Sequence, residues 1–232
     1  MNSPVLRYSW LLFDADGTLL DYDAAEDHAL RIAAESFGWT ATPEIRELYR
    51  TINSELWLGL EKGTVTSEEL RVLRFVRLSE RCGWKLDAEA FSDAYLTELS
   101  RGGFLIEGAE AMLDRLPVGI SKAIVTNGIR DTQFGRLAAA GILEKFAHVV
   151  VSETAGAAKP SPVFFDYVMN LIGGVPPDRM LLIGDSLSSD IAGGVGCGID
   201  TCWFNPGGKA NNSPFEPTYE ISLWEEFAEI VG

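Results

Sequence analysis

The 232 residues are 47% hydrophobic, enough for one large domain or a core with an insertion, and they carry a formal net charge of −15. That acidic balance argues against binding to nucleic-acid backbones or to anionic membrane, and an anionic ligand would need a local basic pocket and a metal. Three cysteines, Cys82, Cys197 and Cys202, have no metal-ligand spacing and form neither a disulfide framework nor a zinc site, so a reducing cytoplasm is the expected setting.

The opening "VLRYSWLLF" meets Asp14 too soon to serve as a signal-peptide core, and no run of about 18 apolar residues follows, so neither export nor a membrane span is expected. "WLLFDA" (10–15) has the length of a buried strand. Between Leu20 and about residue 102 the strand signal stops and amphipathic helices take over: "AAEDHALRIAAESFG", "PEIRELYRTINSELWLGLEKG", "SEELRVLRFVRLSERCG" and "AEAFSDAYLTELSRGG". Thr42-Pro43 marks a helix start, Thr66 with Glu69 makes a capping box, and Gly38, Gly63, Gly83 and Gly102 stand where helices should stop. Residues 21–102 therefore read as an inserted helical cap. Its aromatics, Trp57, Phe75, Trp84, Phe91 and Tyr95, recur near helical spacing and read as core, while Tyr22 and Asp23, at the start of the insertion, are candidates for contact with a ligand.

From residue 104 the rhythm is helix, strand, helix, strand. "KAIVTN" (122–127), "HVVVS" (148–152), "MLLIGD" (180–185) and "TCWFN" (201–205) are short β-rich runs, "YEIS" (219–222) offers an edge strand, and "LWEEFAEIVG" a last helix. "NPGGKANNSP" (205–214) is the loosest segment. The expected fold is α/β, a Rossmann-like doubly wound parallel sheet core built from residues 1–20 and 103–232, with the cap of 21–102 inserted after the first strand.

Ligands of an open parallel sheet collect at the carboxyl ends of its strands. Asp14, Asp16 and Thr18 follow the first run, Thr126 and Asn127 end the second, and Asp185, then Asp190, follow "MLLIG"; Lys159 comes after the third strand, before a helix. Asp14, Asp16 and Asp185 side by side would raise one another's pKa unless a cation sat among them, and Mg²⁺ takes such hard oxygen ligands together with substrate phosphate oxygens. Lys159 and the metal would balance a phosphoryl group's charge while Thr126 and backbone amides donate to its oxygens. Asp14 is then free to attack phosphorus, and Asp16, brought round by a turn at Gly17, can act as general acid and base. His28 and His148 have no partner pattern and are assigned no role.

In order, "FDADGT", "VTNG", "AKPSP" and "GDSLSSD" resemble the four motifs of the haloacid dehalogenase-like hydrolase superfamily, and the helical insertion resembles its C1 cap. The resemblance implies Asp14 as nucleophile and magnesium ligand and Asp16 as acid/base, binding the metal through its backbone carbonyl. It implies phosphate binding by the motif II residues Thr126 and Asn127 and by Lys159, Asp185 in the metal site, and Asp190 in the outer metal shell. Finer stretches, "FDADGTLLDYDAAEDHAL", "INSELWLGLEKGTVTSEELRVLRF" and "TNGIRDTQFGRL", resemble the pyrimidine 5'-nucleotidase group. The expected function is Mg²⁺-dependent phosphomonoester hydrolysis through an aspartyl-phosphate, on a small metabolite such as a nucleoside monophosphate. A sugar-phosphate phosphatase or phosphomutase is the alternative within the superfamily, and a non-catalytic phospho-ligand module the alternative outside it.

Overall fold

The computed structural model describes residues 6–231; residues 1–5, at the head of the first expected core segment, and Gly232, at the end of the last expected helix, lie outside it. Sixteen named strands and α-helices follow one another, beginning with β1 (Trp10–Phe13), four helices α1 (Tyr22–Ser36), α2 (Pro43–Glu61), α3 (Ser67–Cys82) and α4 (Ala88–Arg101), then α5 (Ala109–Arg115). Next come β2 (Ser121–Thr126), α6 (Arg130–Ala139), β3 (His148–Val151), α7 (Ser152–Ala155), α8 (Pro162–Leu171), β4 (Met180–Gly184), α9 (Ala192–Gly196), β5 (Asp200–Phe204), β6 (Tyr219–Ile221) and α10 (Phe227–Val231). They fall into two compact units, one made of the residues up to Asp21, Leu105–Arg130 and Ala140 onward, the other of Tyr22–Phe104 with Asp131–Ala139.

The first unit is a six-stranded sheet in the order β3-β2-β1-β4-β5-β6. Every pairing is parallel. Parallel strands covered on both faces are apolar throughout, and β4, "MLLIG", is buried at all five positions. Leu12, Val125, Val150 and Leu182 pack with Phe164, Phe165 and Val168 of α8. On Phe13 lie the rings of Phe146, Trp224 and Phe227. The chain leaves β1 toward β2 on one side and returns to β4 on the other, so the order reverses at β1, the place where doubly wound sheets open a crevice at their carboxyl ends. The strand expected over 10–15 stops at Phe13, which frees Asp14 and Ala15 for the turn that follows. The last helix is also shorter than its sequence pattern: Trp224–Glu226 is a 3₁₀ turn, and only Phe227–Val231 is α-helical. His148 stacks on Trp10.

In the second unit the punctuation reads as the sequence suggests. Thr42 caps α2, Thr66 and Glu69 form a reciprocal capping box on α3, and Gly83 ends that helix in the left-handed conformation. Phe75 sits at the centre, its ring against Tyr49, Phe91 and Tyr95. Asp131–Ala139 joins these helices although chain order sets it among the sheet's crossovers. Its fit is close: Arg136 Nε donates to Gly102 O at 3.2 Å, and a Cβ on Gly135 would come within 2.8 Å of Ser100.

Amphipathic patterning did not reveal a polar cluster inside this unit. Glu26 is 2% exposed and accepts from Asn53 Nδ2 (2.9 Å), which also donates to the Tyr22 hydroxyl (3.0 Å). Burial pushes the Glu26 carboxyl up to about 7, against hydrogen bonds from Tyr22 and Asn53 and the nearby charge of Arg50. The folded carboxyl therefore keeps its proton above the unfolded value of 4.5. Its contribution to stability is complete below that value and is lost as pH rises through about 7. The thermal midpoint should fall more steeply between about pH 5 and 8 in the native protein than in Glu26→Gln; parallel melting profiles would contradict this assignment.

Candidate active site

β1 delivers Asp14 to the sheet's carboxyl edge, where its N–H still donates to Ile183 O of β4 (2.8 Å). The chain then turns. Gly17 has φ +80°, and a Cβ there would stand 2.6 Å from Asp185 Oδ2, so both backbone conformation and space demand glycine. Gly17 N–H donates to Leu20 O (2.9 Å) and closes the turn. Across it lies Asp185, directly after β4, whose backbone carbonyl accepts from Trp203 Nε1 of β5 (2.9 Å).

Lys159 reaches into the same place with its side chain almost wholly buried. Its ammonium donates to Asp14 Oδ1 (2.7 Å), Asp190 Oδ1 (2.6 Å) and Val125 O (2.7 Å), one acceptor for each N–H. Burial works against its charge, but Asp14 and Asp190 hold its pKa above the ordinary lysine range. Asp190 stands on a π-helical turn, Leu187–Ile191, and its other oxygen accepts from Ser186 N–H (3.1 Å). Gly184 makes room for it, since a Cβ at that position would fall 2.2 Å from the Asp190 carboxylate.

Asp14, Asp185 and Asp190 each bring one carboxylate oxygen within 4.8 Å of the other two. Burial drives the Asp14 carboxyl well above the usual carboxylate range, with Lys159 opposing and the charges of Asp190 and Asp185 adding. Burial, then the charge of Asp190, pushes Asp185 up to about 7 against Lys159 and Lys209. One ammonium against three carboxylates, two of them buried and Asp185 half-buried, leaves negative charge uncompensated, and this all-oxygen donor set fits a hard divalent cation.

The sequence candidates thus divide. Asp14, Lys159, Asp185 and Asp190 come together. Asp16 lies just beyond, half-buried, its carboxylate outside the trio but close enough for its charge to act on Asp185. Thr126, at the end of β2, is 1% exposed and its Oγ1 accepts from Gly128 N–H (3.0 Å). Asn127 uses its amide on the Lys159 backbone, accepting from its N–H (2.8 Å) and donating to its carbonyl (3.0 Å). Two contributors were missed: Trp203, read only as strand core, and Lys209, in the segment read as loosest. Asn205 fixes that segment, accepting from Lys209 N–H (2.9 Å) and donating to Lys209 O (2.9 Å).

Residues 11–204 match the family model for haloacid dehalogenase-like hydrolases, a span that takes in all but the first residue of β1, all of β2 to β5, and these groups up to Trp203. The chain belongs to the haloacid dehalogenase-like hydrolase family. YfnB of Bacillus subtilis is 40% identical over 97% of this chain and 96% of its own length. Its magnesium-bound crystal structure superposes with a TM-score of 0.90, covering 97% of this chain and 98% of that one. Pyrimidine 5'-nucleotidase PynA of Streptococcus pneumoniae is 36% identical over 96% of this chain and 94% of its own length. Pyrimidine 5'-nucleotidase YjjG of Escherichia coli is 29% identical over 97% and 99% respectively. This haloacid dehalogenase-like hydrolase is a phosphatase with a Rossmann-like α/β core.

The buried Asp14–Lys159–Asp190 triad makes a prediction for this hydrolase. Lys159→Met strands two carboxylates without their cation, and should cost about 3 to 5 kcal/mol of unfolding free energy in urea titrations. A loss below about 1 kcal/mol would mean that the ammonium does not hold the carboxylates together.

Proposed function

We propose that this hydrolase is a Mg²⁺-dependent 5'-nucleotidase acting on pyrimidine nucleoside monophosphates through a phosphorylated Asp14. The observation that carries the reading is the Asp14 carboxylate at the end of the central strand, held by a buried Lys159 beside two further carboxylates. The substrate class is supported by PynA and YjjG, both named for it and both similar to this chain over nearly its whole length.

An Asp14 oxygen attacks phosphorus as the bond to the nucleoside O5' breaks, and the Asp16 carboxyl donates its proton to that departing oxygen. Asp16, now a carboxylate, takes a proton from water as the water oxygen attacks the same phosphorus, which releases inorganic phosphate and restores Asp14. Lys159 favours the ionised form of Asp14 against the burial that raises its pKa, and aims it. Thr126 faces the phosphoryl oxygens from the end of β2. Asn127 acts by clamping the Lys159 backbone, a more indirect part than the phosphate contact expected from its motif. The carboxylates of Asp14 and Asp185 and the backbone carbonyl of Asp16 would hold the magnesium ion, with Asp190 behind them tied to Lys159 and Ser186. Bound there, the ion supplies charge neutralisation for the transferring phosphoryl group. The helical unit serves as the cap that selects substrate, and the three free thiols suit a reducing cytoplasm.

Phosphate release from a panel of nucleoside monophosphates and sugar phosphates, with Mg²⁺ and with EDTA, tests the reading. Release should need the metal and favour UMP, dUMP or dTMP; a preference for sugar phosphates removes the nucleotide claim. Asp14→Asn should lower kcat on the order of 10⁴-fold or more, and Asp16→Asn by about 10² to 10⁴-fold, each with a native circular dichroism spectrum.

A further inference from the structure

The three carboxylates of the acidic cluster are not held alike. Asp14 and Asp190 each accept from the Lys159 ammonium (2.7 and 2.6 Å), and Asp190 accepts from Ser186 N–H as well. Asp185 has no such support: among the described residues no N–H or O–H donates to its carboxylate. Its side chain is therefore aimed through its backbone. The side chain that grips that backbone is Trp203, whose indole Nε1 donates to Asp185 O at 2.9 Å.

The contact follows from register. Trp203 stands opposite Gly184 in the parallel pairing of β4 with β5, one residue short of Asp185. Asp185 lies just past the end of β4, and its carbonyl takes its donor from the indole instead of from the ladder. Trp203 is 2% exposed, which shields the bond from competing water. Successive side chains of a strand point to opposite faces, and the next residue, Phe204, stacks on a second tryptophan, Trp224, with ring centroids 4.6 Å apart. The Trp224 indole is as buried, yet its Nε1 has no hydrogen-bond partner among the described residues. One buried tryptophan thus holds a carboxylate-bearing residue of the site, and the other holds none.

We infer that Trp203 is a positioning residue for the divalent cation: by holding the Asp185 carbonyl, its indole N–H fixes where the Asp185 carboxylate meets the ion. The inference rests on the metal site of the proposed function and adds to it the group that tunes metal affinity. Hydrogen bonds one step removed from a metal set its affinity by fixing the direction of a ligand before the ion arrives. Trp203 acts through Asp185 and not on the phosphoryl group. Its loss should therefore weaken binding of the ion and leave turnover near native once the ion saturates.

The test titrates Mn²⁺, which takes the same hard oxygen ligands as Mg²⁺, into native protein, Trp203→Phe, Trp224→Phe and Asp185→Asn. Bound ion is counted by loss of the free-ion electron paramagnetic resonance signal, and kcat for p-nitrophenyl phosphate is measured at saturating Mg²⁺. Mn²⁺ affinity should fall roughly tenfold in Trp203→Phe, stay near native in Trp224→Phe and fall furthest in Asp185→Asn, while Trp203→Phe keeps most of its kcat. Native affinity in Trp203→Phe overturns the inference and leaves the metal site standing. An equal loss in Trp224→Phe, or a kcat of Trp203→Phe that stays low at saturating Mg²⁺, also overturns it, by reducing the effect to the packing of β5. Native affinity in Asp185→Asn, or no Mn²⁺ bound by native protein, overturns the metal site and the inference with it. Melting temperatures check folding. If Trp203→Phe does not fold, 3-benzothienylalanine at position 203, with sulfur in place of the N–H in a ring system of the same shape, is judged by the same outcomes.

Discussion

A buried ammonium with three acceptors holds the carboxyl edge of the sheet together. Lys159 joins Asp14 at the end of β1, Asp190 on the turn after β4 and the backbone of Val125 in β2, so one side chain ties three neighbouring strand ends. Removing any partner would leave an unpaired charge in a dry place, which is far costlier than losing a surface ion pair. Much of the local structure follows from housing this group. Gly184 leaves room for Asp190, the π-helical turn brings that carboxylate back over the strand, and Asn127 grips the lysine's own backbone.

The same arrangement explains why the site is poised and not simply stable. Lys159 offsets only part of the charge of Asp14, Asp185 and Asp190, and burial penalises what is left. In the proposed reaction a divalent cation would offset the surplus negative charge and a phosphoryl group would bring the opposite charge to the same edge. Position in the sheet supplies the rest: β1 lies where the strand order reverses, the place at which doubly wound sheets gather their ligands.

Much of this was legible in the sequence because the physics is local. An apolar run must end somewhere, and carboxylates at the ends of "WLLF" and "MLLIG" declare both a strand and its functional edge; helix caps such as Thr66 with Glu69 are equally local. What stayed hidden depends on long-range contact. Residues 14 and 159 become partners only through the fold, and the resemblance supplied the lysine's importance without its three acceptors. Asn127 was expected at the phosphate and is found on the lysine backbone. Asp131–Ala139 packs with the helices, although chain order sets it among the crossovers. Glu26, Asn53 and Arg74 were assigned no role from the sequence, and burial of three such polar groups shows only when α1, α2 and α3 are assembled.

The central claim is that Asp14 itself becomes phosphorylated. The most direct measurement is acid quenching during turnover of 5'-³²P-labelled UMP with Mg²⁺, followed by peptide mapping. The account predicts label on the peptide containing Asp14, chased into inorganic phosphate by unlabelled UMP. Turnover with no covalent label, or label on another residue, would contradict it.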